Sequence, residues 1–405
     1  MSSGVLLTGA VFNGSFAAAA MWLAGRALGL VAFEALAQLW TLWGLVAIGV
    51  AFAFQQWEVL RSIGLAASQR LRVPLAIGAG LLGAGLLVLV LTAVFRVRIF
   101  GSVSWAWPLA AASLPVGTAI TGMAYATFAR AGRLRALALV MAAENGARLL
   151  ATGVLAAIGA PSVAFALTVP AGFLVSLLPL LVTPVARKPA SEIEAGSARQ
   201  LPALAMIGSA TNFLVFGGPL LLGAAGGQAA VVSTLFLVLI IPRVPLLLVN
   251  ALVPALIVAG TRLVVAGDVT RVRRWVLLLG GAGCGLAMLG GPLAYIVADP
   301  IAATLFQAGG ELEPVAYGLL GVAVALLLTA TLTNPLLIAM GRINAVAMAW
   351  GMVVVSGAAL MAFGVIAEPV SLTVWMSACA VGVVAVHLAV ALATGPGRQT
   401  RGAAG

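Results

Sequence analysis

The chain has 405 residues, of which 63% are hydrophobic and only 8% are charged, whereas soluble globular domains carry about 25% charged residues. This composition excludes a soluble globular protein and leaves no long polar stretch for a soluble catalytic domain. The net charge of +11 does not indicate nucleic-acid binding, because the basic residues stand singly or in small groups between apolar runs. We therefore predict an all-α polytopic membrane protein.

Apolar runs bounded by charged residues, glycines and prolines predict about 12 transmembrane helices, since one span needs about 20 residues. The first run is expected to remain in the protein, because residues 1–7 lack the basic region of a cleaved signal peptide. The predicted spans are 5–25, 31–57, 73–95, 105–129, 136–158, 163–184, 201–223, 228–258, 274–298, 314–340, 343–366 and 370–394.

The basic residues obey the positive-inside rule on this set of spans. With a cytoplasmic N-terminus, 16 basic residues fall in cytoplasmic loops and the C-terminal tail, and three fall in the outer loops. The remaining two, Arg148 and Arg243, lie inside spans. The preference for Arg over Lys and the abundance of Ala, Gly and Val are typical of a high-GC bacterium. We therefore predict a multi-pass protein of the bacterial plasma (inner) membrane with both termini in the cytoplasm.

A polar linker divides the spans into two sets of six. Residues 132–139 resemble residues 341–348, 209 positions later, and Asn13 corresponds approximately to Asn212. Such a repeat predicts two six-helix lobes related by a pseudo-two-fold along the membrane normal, with a substrate site between them near mid-membrane. The predicted units are an N-terminal lobe 1–184, a cytoplasmic linker 185–200, a C-terminal lobe 201–394 and a disordered cytoplasmic tail 395–405.

The fifth span carries three polar residues, Glu144, Asn145 and Arg148, in an otherwise apolar segment. A lone charge at the bilayer centre costs about 2.5–3.5 kcal/mol on insertion scales, so these residues should face the bundle interior or a wet cavity. Glu144 and Arg148 are four residues apart and can pair on one helix face. The pair either locks helices together, or Arg148 binds a phosphate or carboxylate that Glu144 helps to orient, or Glu144 exchanges protons.

Other intramembrane polar residues are further candidates for substrate contacts. Arg243 stands between two helix-kinking prolines, where it either bonds freed carbonyls or faces an anionic surrounding. Asn13 and Asn212 suit helix–helix hydrogen bonds or ligand contacts. Arg26 and Glu34 follow the first span and form either a solvated ion pair or an outer gate.

Enzyme chemistry and metal binding find no support in the sequence. The single His387 has no Ser/Asp set around it and is best explained as a packed core residue. Cys284 and Cys379 lack metal-ligand spacing. We expect no catalytic residue, no metal and no cofactor.

The sequence resembles the Wzx-type polysaccharide flippases of the multidrug/oligosaccharidyl-lipid/polysaccharide (MOP) exporter superfamily. The similarity lies in residues 24–29, Ala-Gly-Arg-Ala-Leu-Gly, followed by Phe33-Glu34 and Gln38; in the eighth span with its internal prolines; and in residues 341–344, Gly-Arg-Ile-Asn. This resemblance covers most of the chain.

The resemblance implies a flippase that moves a polyprenyl-(pyro)phosphate-linked saccharide from the inner to the outer leaflet for cell-envelope or exopolysaccharide biosynthesis. A coupling ion (H+ or Na+) or the membrane potential would drive it, and polymerase and other envelope-synthesis proteins are candidate partners. Two alternatives remain open at this point: a cation-coupled small-molecule (drug) exporter of the same superfamily, and a non-transporting membrane scaffold for envelope synthesis.

Overall fold

The structure is a computed structural model that describes residues 2–51, 53, 75–130, 133–182, 201–307, 309–365 and 368–394. Every regular element in these ranges is helical. The predicted linker 185–200 and the predicted tail 395–405 lie outside the described residues.

The α-helices follow the predicted spans in chain order. They are α1 (Ser2–Val46), α2 (Leu75–Val94), α3 (Arg96–Phe100), α4 (Ala106–Ala112), α5 (Leu114–Arg130), α6 (Leu134–Ala157), α7 (Thr168–Val182), α8 (Leu201–Ala224), α9 (Ala229–Val265), α10 (Val269–Ile301), α11 (Pro314–Ala339), α12 (Ile343–Ala362) and α13 (Pro369–Ala393). Two π-helical segments, Ala47–Ala51 and Ala302–Phe306, follow α1 and α10, and a 3₁₀-helix, Ser162–Leu167, precedes α7.

Within the described ranges, eight helices are long and apolar enough to cross a membrane, or nine when the bent pair Ala203–Leu214 and Phe216–Ala224 counts as one span. Three features account for the difference between these nine and the twelve predicted. The segment Thr8–Ala51 holds two predicted spans, and α9 contributes only the shorter apolar stretch Ala229–Ile240. In α6, the three central polar residues lower the mean hydropathy of the helix.

Two hydrophobic clusters divide the described residues into an N-terminal half (α1–α7) and a C-terminal half (α8–α13). The first cluster centres on α1, α4 and α7, and the second on α8 to α13. The boundary is crossed in both directions: Phe236 and Leu237 of α9 belong to the first cluster, and Leu45 of α1 packs against the second. The two halves therefore meet along α1, α8 and α9.

The first two predicted spans form one continuous stretch, α1, that is broken at Gly29. Gly29 has φ 71° and ψ 161°, a backbone conformation that is essentially confined to glycine. The break redirects the chain at the end of the first span without a loop of extended residues.

We expect Gly29→Ala to destabilise the protein by about 1–3 kcal/mol, because alanine would be held in that strained conformation. Gly78→Ala on α2 is the matched control, since a Cβ there meets nothing within 4 Å. The control should leave stability unchanged or raise it by about 1 kcal/mol through helix propensity. Thermal unfolding of both purified variants in detergent measures the difference, and equal melting temperatures would contradict a strained break.

Candidate functional site

The three polar residues at the middle of α6 are buried inside the N-terminal half. Arg148 has no exposed surface, and Glu144 and Asn145 are 3% and 2% exposed. Charges so far from water require partners, because desolvation of an unpaired ion costs several kcal/mol even after the protein relaxes.

The guanidinium of Arg148 has three acceptors. Its Nη2 donates to Glu144 Oε1 at 2.7 Å, which forms the ion pair that the four-residue spacing predicts. Its Nη1 donates to Asn145 Oδ1 at 2.6 Å, and its Nε donates to the backbone oxygen of Val169 on α7 at 3.3 Å. The planar fork of arginine is suited to this arrangement, in which three acceptors surround one group.

The second carboxylate oxygen of Glu144 also has donors. The Tyr125 hydroxyl on α5 donates to Glu144 Oε2 at 2.7 Å, and the Ser176 hydroxyl on α7 donates to the same oxygen at 3.4 Å. Glu144 therefore connects three helices while its negative charge is matched by Arg148.

Asn145 extends the network to α1. Its Nδ2 donates to Asn13 Oδ1 at 2.7 Å and to the Asn13 backbone oxygen at 3.2 Å. The structure thus brings together four of the predicted substrate-binding residues. We refer to the connected side chains as the α6 polar cluster; they are Asn13, Tyr125, Glu144, Asn145, Arg148 and Ser176.

Aromatic rings cover the guanidinium on its remaining sides. The Arg148 Cζ lies 4.6 Å from the ring centroid of Trp43, 5.4 Å from that of Phe173 and 5.9 Å from that of Trp40. The guanidinium also lies directly against Gly172 of α7, where an added Cβ would be 2.6 Å from Arg148 Nε. Glycine at this position leaves the space that the guanidinium fills.

The α6 polar cluster is therefore internally neutral and closed to solvent in this conformation. Of the three interpretations of Glu144 and Arg148, this geometry is that of a pair that locks helices together. A ligand would reach Arg148 only after the rings of Trp43 and Phe173 had moved.

The other predicted substrate-binding residues lie elsewhere. Asn212 of α8 is 1% exposed, and its Nδ2 donates to the Gly208 oxygen of its own helix at 2.7 Å. Its Oδ1 has no partner among the described residues. Arg243 lies within α9, and its side chain is outside the described part of the structure.

The two predicted gate residues, Arg26 and Glu34, do not form an ion pair in the described structure. The Arg26 guanidinium lies over the Trp22 ring, 5.3 Å from its centroid. Glu34 is partly buried where the two halves meet, with one carboxylate oxygen beside Gly101 and the other 3.9 Å from an ideal Cβ at Gly223. The ion-pair alternative is thus wrong for this conformation, since each side chain has a different neighbour, and a gate role for Arg26 and Glu34 stays a prediction.

The sequence did not point to six residues that complete the α6 polar cluster and its cover. Nothing in their local sequence sets them apart, since Tyr, Ser, Trp, Phe and Gly all occur commonly in membrane spans. Only packing of α1, α5 and α7 around α6 brings them to the guanidinium. They are Tyr125, Ser176, Trp40, Trp43, Phe173 and Gly172.

His387 is buried in the C-terminal half, with 1% of its surface exposed. Its Nδ1 is 2.8 Å from the Thr333 hydroxyl. No group of three His, Cys, Asp or Glu side chains in the described residues is placed to hold a metal ion.

No protein-family model matches the sequence, and no curated protein matches it. Solved structures match it in fold. An inward-facing multidrug resistance MATE family transporter of the MOP superfamily is 14% identical over 95% of each chain, with a TM-score of 0.67. An outward-facing transporter of the same description is 14% identical over 96% of this chain and 93% of that chain, with a TM-score of 0.58.

A third match is a MOP superfamily transporter from Pyrococcus furiosus whose reversed binding-pocket polarity suggests a different function. It is 13% identical over 96% of this chain and 93% of that chain, with a TM-score of 0.55. The chain therefore has the fold of MOP superfamily transporters, which are not enzymes, and this fold implies two lobes of six helices each. The predicted superfamily fold is confirmed, while the polysaccharide-flippase subtype stays a prediction.

Proposed function

We propose that this chain is a flippase that moves a polyprenyl-(pyro)phosphate-linked saccharide from the inner to the outer leaflet by alternating access. Residues 1–184 and 201–394 form the two moving lobes, which 185–200 connects, and both termini face the cytoplasm of a bacterium. An ion gradient or the membrane potential supplies the energy.

The choice of a flippase over a cation-coupled drug exporter rests on the contacts of Glu144. A cation-coupled drug exporter needs an intramembrane carboxylate that is free to exchange a proton or bind a cation. Glu144 already holds the Arg148 guanidinium at 2.7 Å and is only 3% exposed, so its charge is satisfied within the protein. The first span, residues 5–25, contains no acidic residue that would replace it.

Arginine is the residue type that an anionic headgroup requires, because its planar donors match phosphate oxygens. Arg243 is placed in α9, which packs against α1 at the boundary between the halves. In this proposal Arg243 contacts the headgroup first, and Asn212, which is 1% exposed, contacts it only after the helices around it move. The α6 polar cluster supports that surface, and Arg148 contributes only when the rings that cover it move.

A cation-coupled small-molecule exporter is the second candidate, since two of the matched structures are multidrug resistance transporters. The two candidates differ in the molecule that they carry. A flippase of this kind carries a lipid anion, whereas the drug exporter carries small molecules in exchange for cations.

Reconstitution in liposomes separates the candidates. We expect purified protein to equilibrate a fluorescent polyprenyl-pyrophosphate disaccharide between leaflets, which is measured as loss of protection from an impermeant quencher added outside. The same vesicles should not move a cationic dye when a pH gradient is applied. Dye transport without movement of the labelled lipid would overturn the flippase and support the exporter.

Arg243→Gln should slow movement of the labelled lipid, because the headgroup loses a cationic contact. Arg262→Gln on the same helix is the matched control, since Arg262 is exposed in the last turn of α9. Equal rates for the two variants would remove Arg243 from the proposed site.

A further inference from the structure

Three side-chain hydrogen bonds join the two halves at one end of the molecule. Trp22 Nε1 on α1 donates to the Leu305 backbone oxygen at 2.8 Å, and Gln38 Nε2 on α1 donates to the Pro219 oxygen at 2.8 Å. In the opposite direction, the Ser233 hydroxyl on α9 donates to the Leu30 oxygen at 2.7 Å. We call these three bonds the latch.

All latch residues lie near helix ends on the same side of the fold. On α1 they flank the break at Gly29. Pro219 is within six residues of the end of α8, and Ser233 is within five of the start of α9. Leu305 belongs to the π-helical segment after α10. Under the predicted topology, this is the extracytoplasmic end.

The Leu305 carbonyl is available because the helix ends directly after it. Gln307 adopts a left-handed conformation with φ 56°, so no further helical turn supplies donors to the last carbonyls. Asp299 fixes the segment, since its Oδ1 accepts from the Gly310 backbone N–H at 2.8 Å and from the Tyr317 hydroxyl at 3.2 Å. Trp22 therefore bonds to an acceptor that lies beside a hydrogen-bonded contact between α10 and α11.

The seam around the other two bonds is packed closely. A Cβ at Gly223 would overlap the Gln38 amide, so glycine there leaves room for the bond to Pro219. Leu237 of α9 contacts Gly25 of α1, where an added Cβ would lie 3.6 Å from Leu237 Cδ2. Leu237 is 1% exposed, so the seam is dry at this end.

The three hydrogen bonds of the latch all lie at one end of the boundary between the halves. Toward the other end, Gly44 of α1 packs against the Phe216 ring, and Gly49 of the π-helical segment after α1 packs against Ser209.

We infer that the latch is the outer gate and that opening toward the extracytoplasmic side requires all three bonds to break together. This inference rests on the proposed alternating-access function. Each bond makes a modest net contribution to the stability of the closed state. The closed and open states can therefore interconvert once the bonds are weakened. The donors are the positioning residues of the gate.

The test measures the distance across the seam by spin-label spectroscopy in proteoliposomes. Labels are placed at Val31→Cys and Gln228→Cys, which are exposed on either side of the latch, after replacement of Cys284 and Cys379 by alanine. Each of Trp22→Phe, Gln38→Leu and Ser233→Ala should raise the open-to-closed ratio about two- to tenfold, and the triple variant more than any single one. Ser371→Ala is the matched control, because its hydroxyl bonds only within α13's first turn, to Glu368.

A second readout is labelling of Leu237→Cys by an impermeant maleimide from outside, which should speed up in the latch variants. Unchanged distances and unchanged labelling in the triple variant would overturn the latch. These readouts need no substrate, so a failure of lipid flipping with shifted distances would reject the proposed cargo and retain the gate.

Discussion

Replacing Arg148 with leucine is expected to destabilise the protein by about 3–5 kcal/mol, because Glu144 would remain as an unpaired buried carboxylate. Asn145 Oδ1 and the Val169 carbonyl would also lose a donor. The measurement is the melting temperature of the purified variant in detergent, together with the yield of monodisperse protein.

The matched control is Arg135→Leu, the same substitution on an exposed position of the same helix. It should stay within about 0.5 kcal/mol of the parent protein. If both variants unfold at the same temperature, the ion pair does not stabilise the fold.

A double variant separates loss of the pair from loss of packing. Glu144→Gln combined with Arg148→Leu removes both charges, so most of the stability lost in Arg148→Leu should return. The stability that this double variant still lacks relative to the parent protein measures the effect of the empty space and the unsatisfied groups around residue 148. A double variant less stable than Arg148→Leu would show that the Glu144 charge is satisfied by Tyr125 and Ser176 alone.

The apolar runs predicted the helices well where the membrane sets their length. The predicted spans 314–340 and 370–394 correspond to the helices Pro314–Ala339 and Pro369–Ala393. Hydropathy did not predict the helix ends where helices continue into polar surroundings. α10 begins at Val269 rather than at 274, because Asp268 caps it by accepting the Arg271 backbone N–H at 3.1 Å. The sequence carries this signal, since an aspartate directly precedes the helix at position 268.

The candidate site was predictable only within one helix. Spacing placed Glu144 and Arg148 on one face of α6, since that relation depends on helix geometry alone. The repeat paired Asn13 with Asn212, yet Asn13 bonds across to Asn145 while Asn212 bonds to Gly208 in its own helix. Roles that depend on which helix lies opposite require the tertiary structure.

Gly172→Ala is expected to disrupt the same site from the neighbouring helix. The added Cβ would be 2.6 Å from both Nε and Nη2 of Arg148. The guanidinium has no free direction in which to move, because three acceptors and three rings hold it. Overpacking of this kind costs about 1–3 kcal/mol, which thermal unfolding in detergent detects.

The matched control is Gly153→Ala on α6, where the new Cβ would meet Leu23 at an ordinary 3.8 Å. Alanine there should be neutral or stabilise the helix by about 1 kcal/mol. In the background of Glu144→Gln with Arg148→Leu, Gly172→Ala should lose most of its cost, since leucine places no guanidinium against α7. That coupling is expected to amount to about 0.5–3 kcal/mol in a double-mutant cycle. If Gly172→Ala costs the same stability in both backgrounds, the glycine is needed for the close approach of the helices. It is then not needed for the position of Arg148.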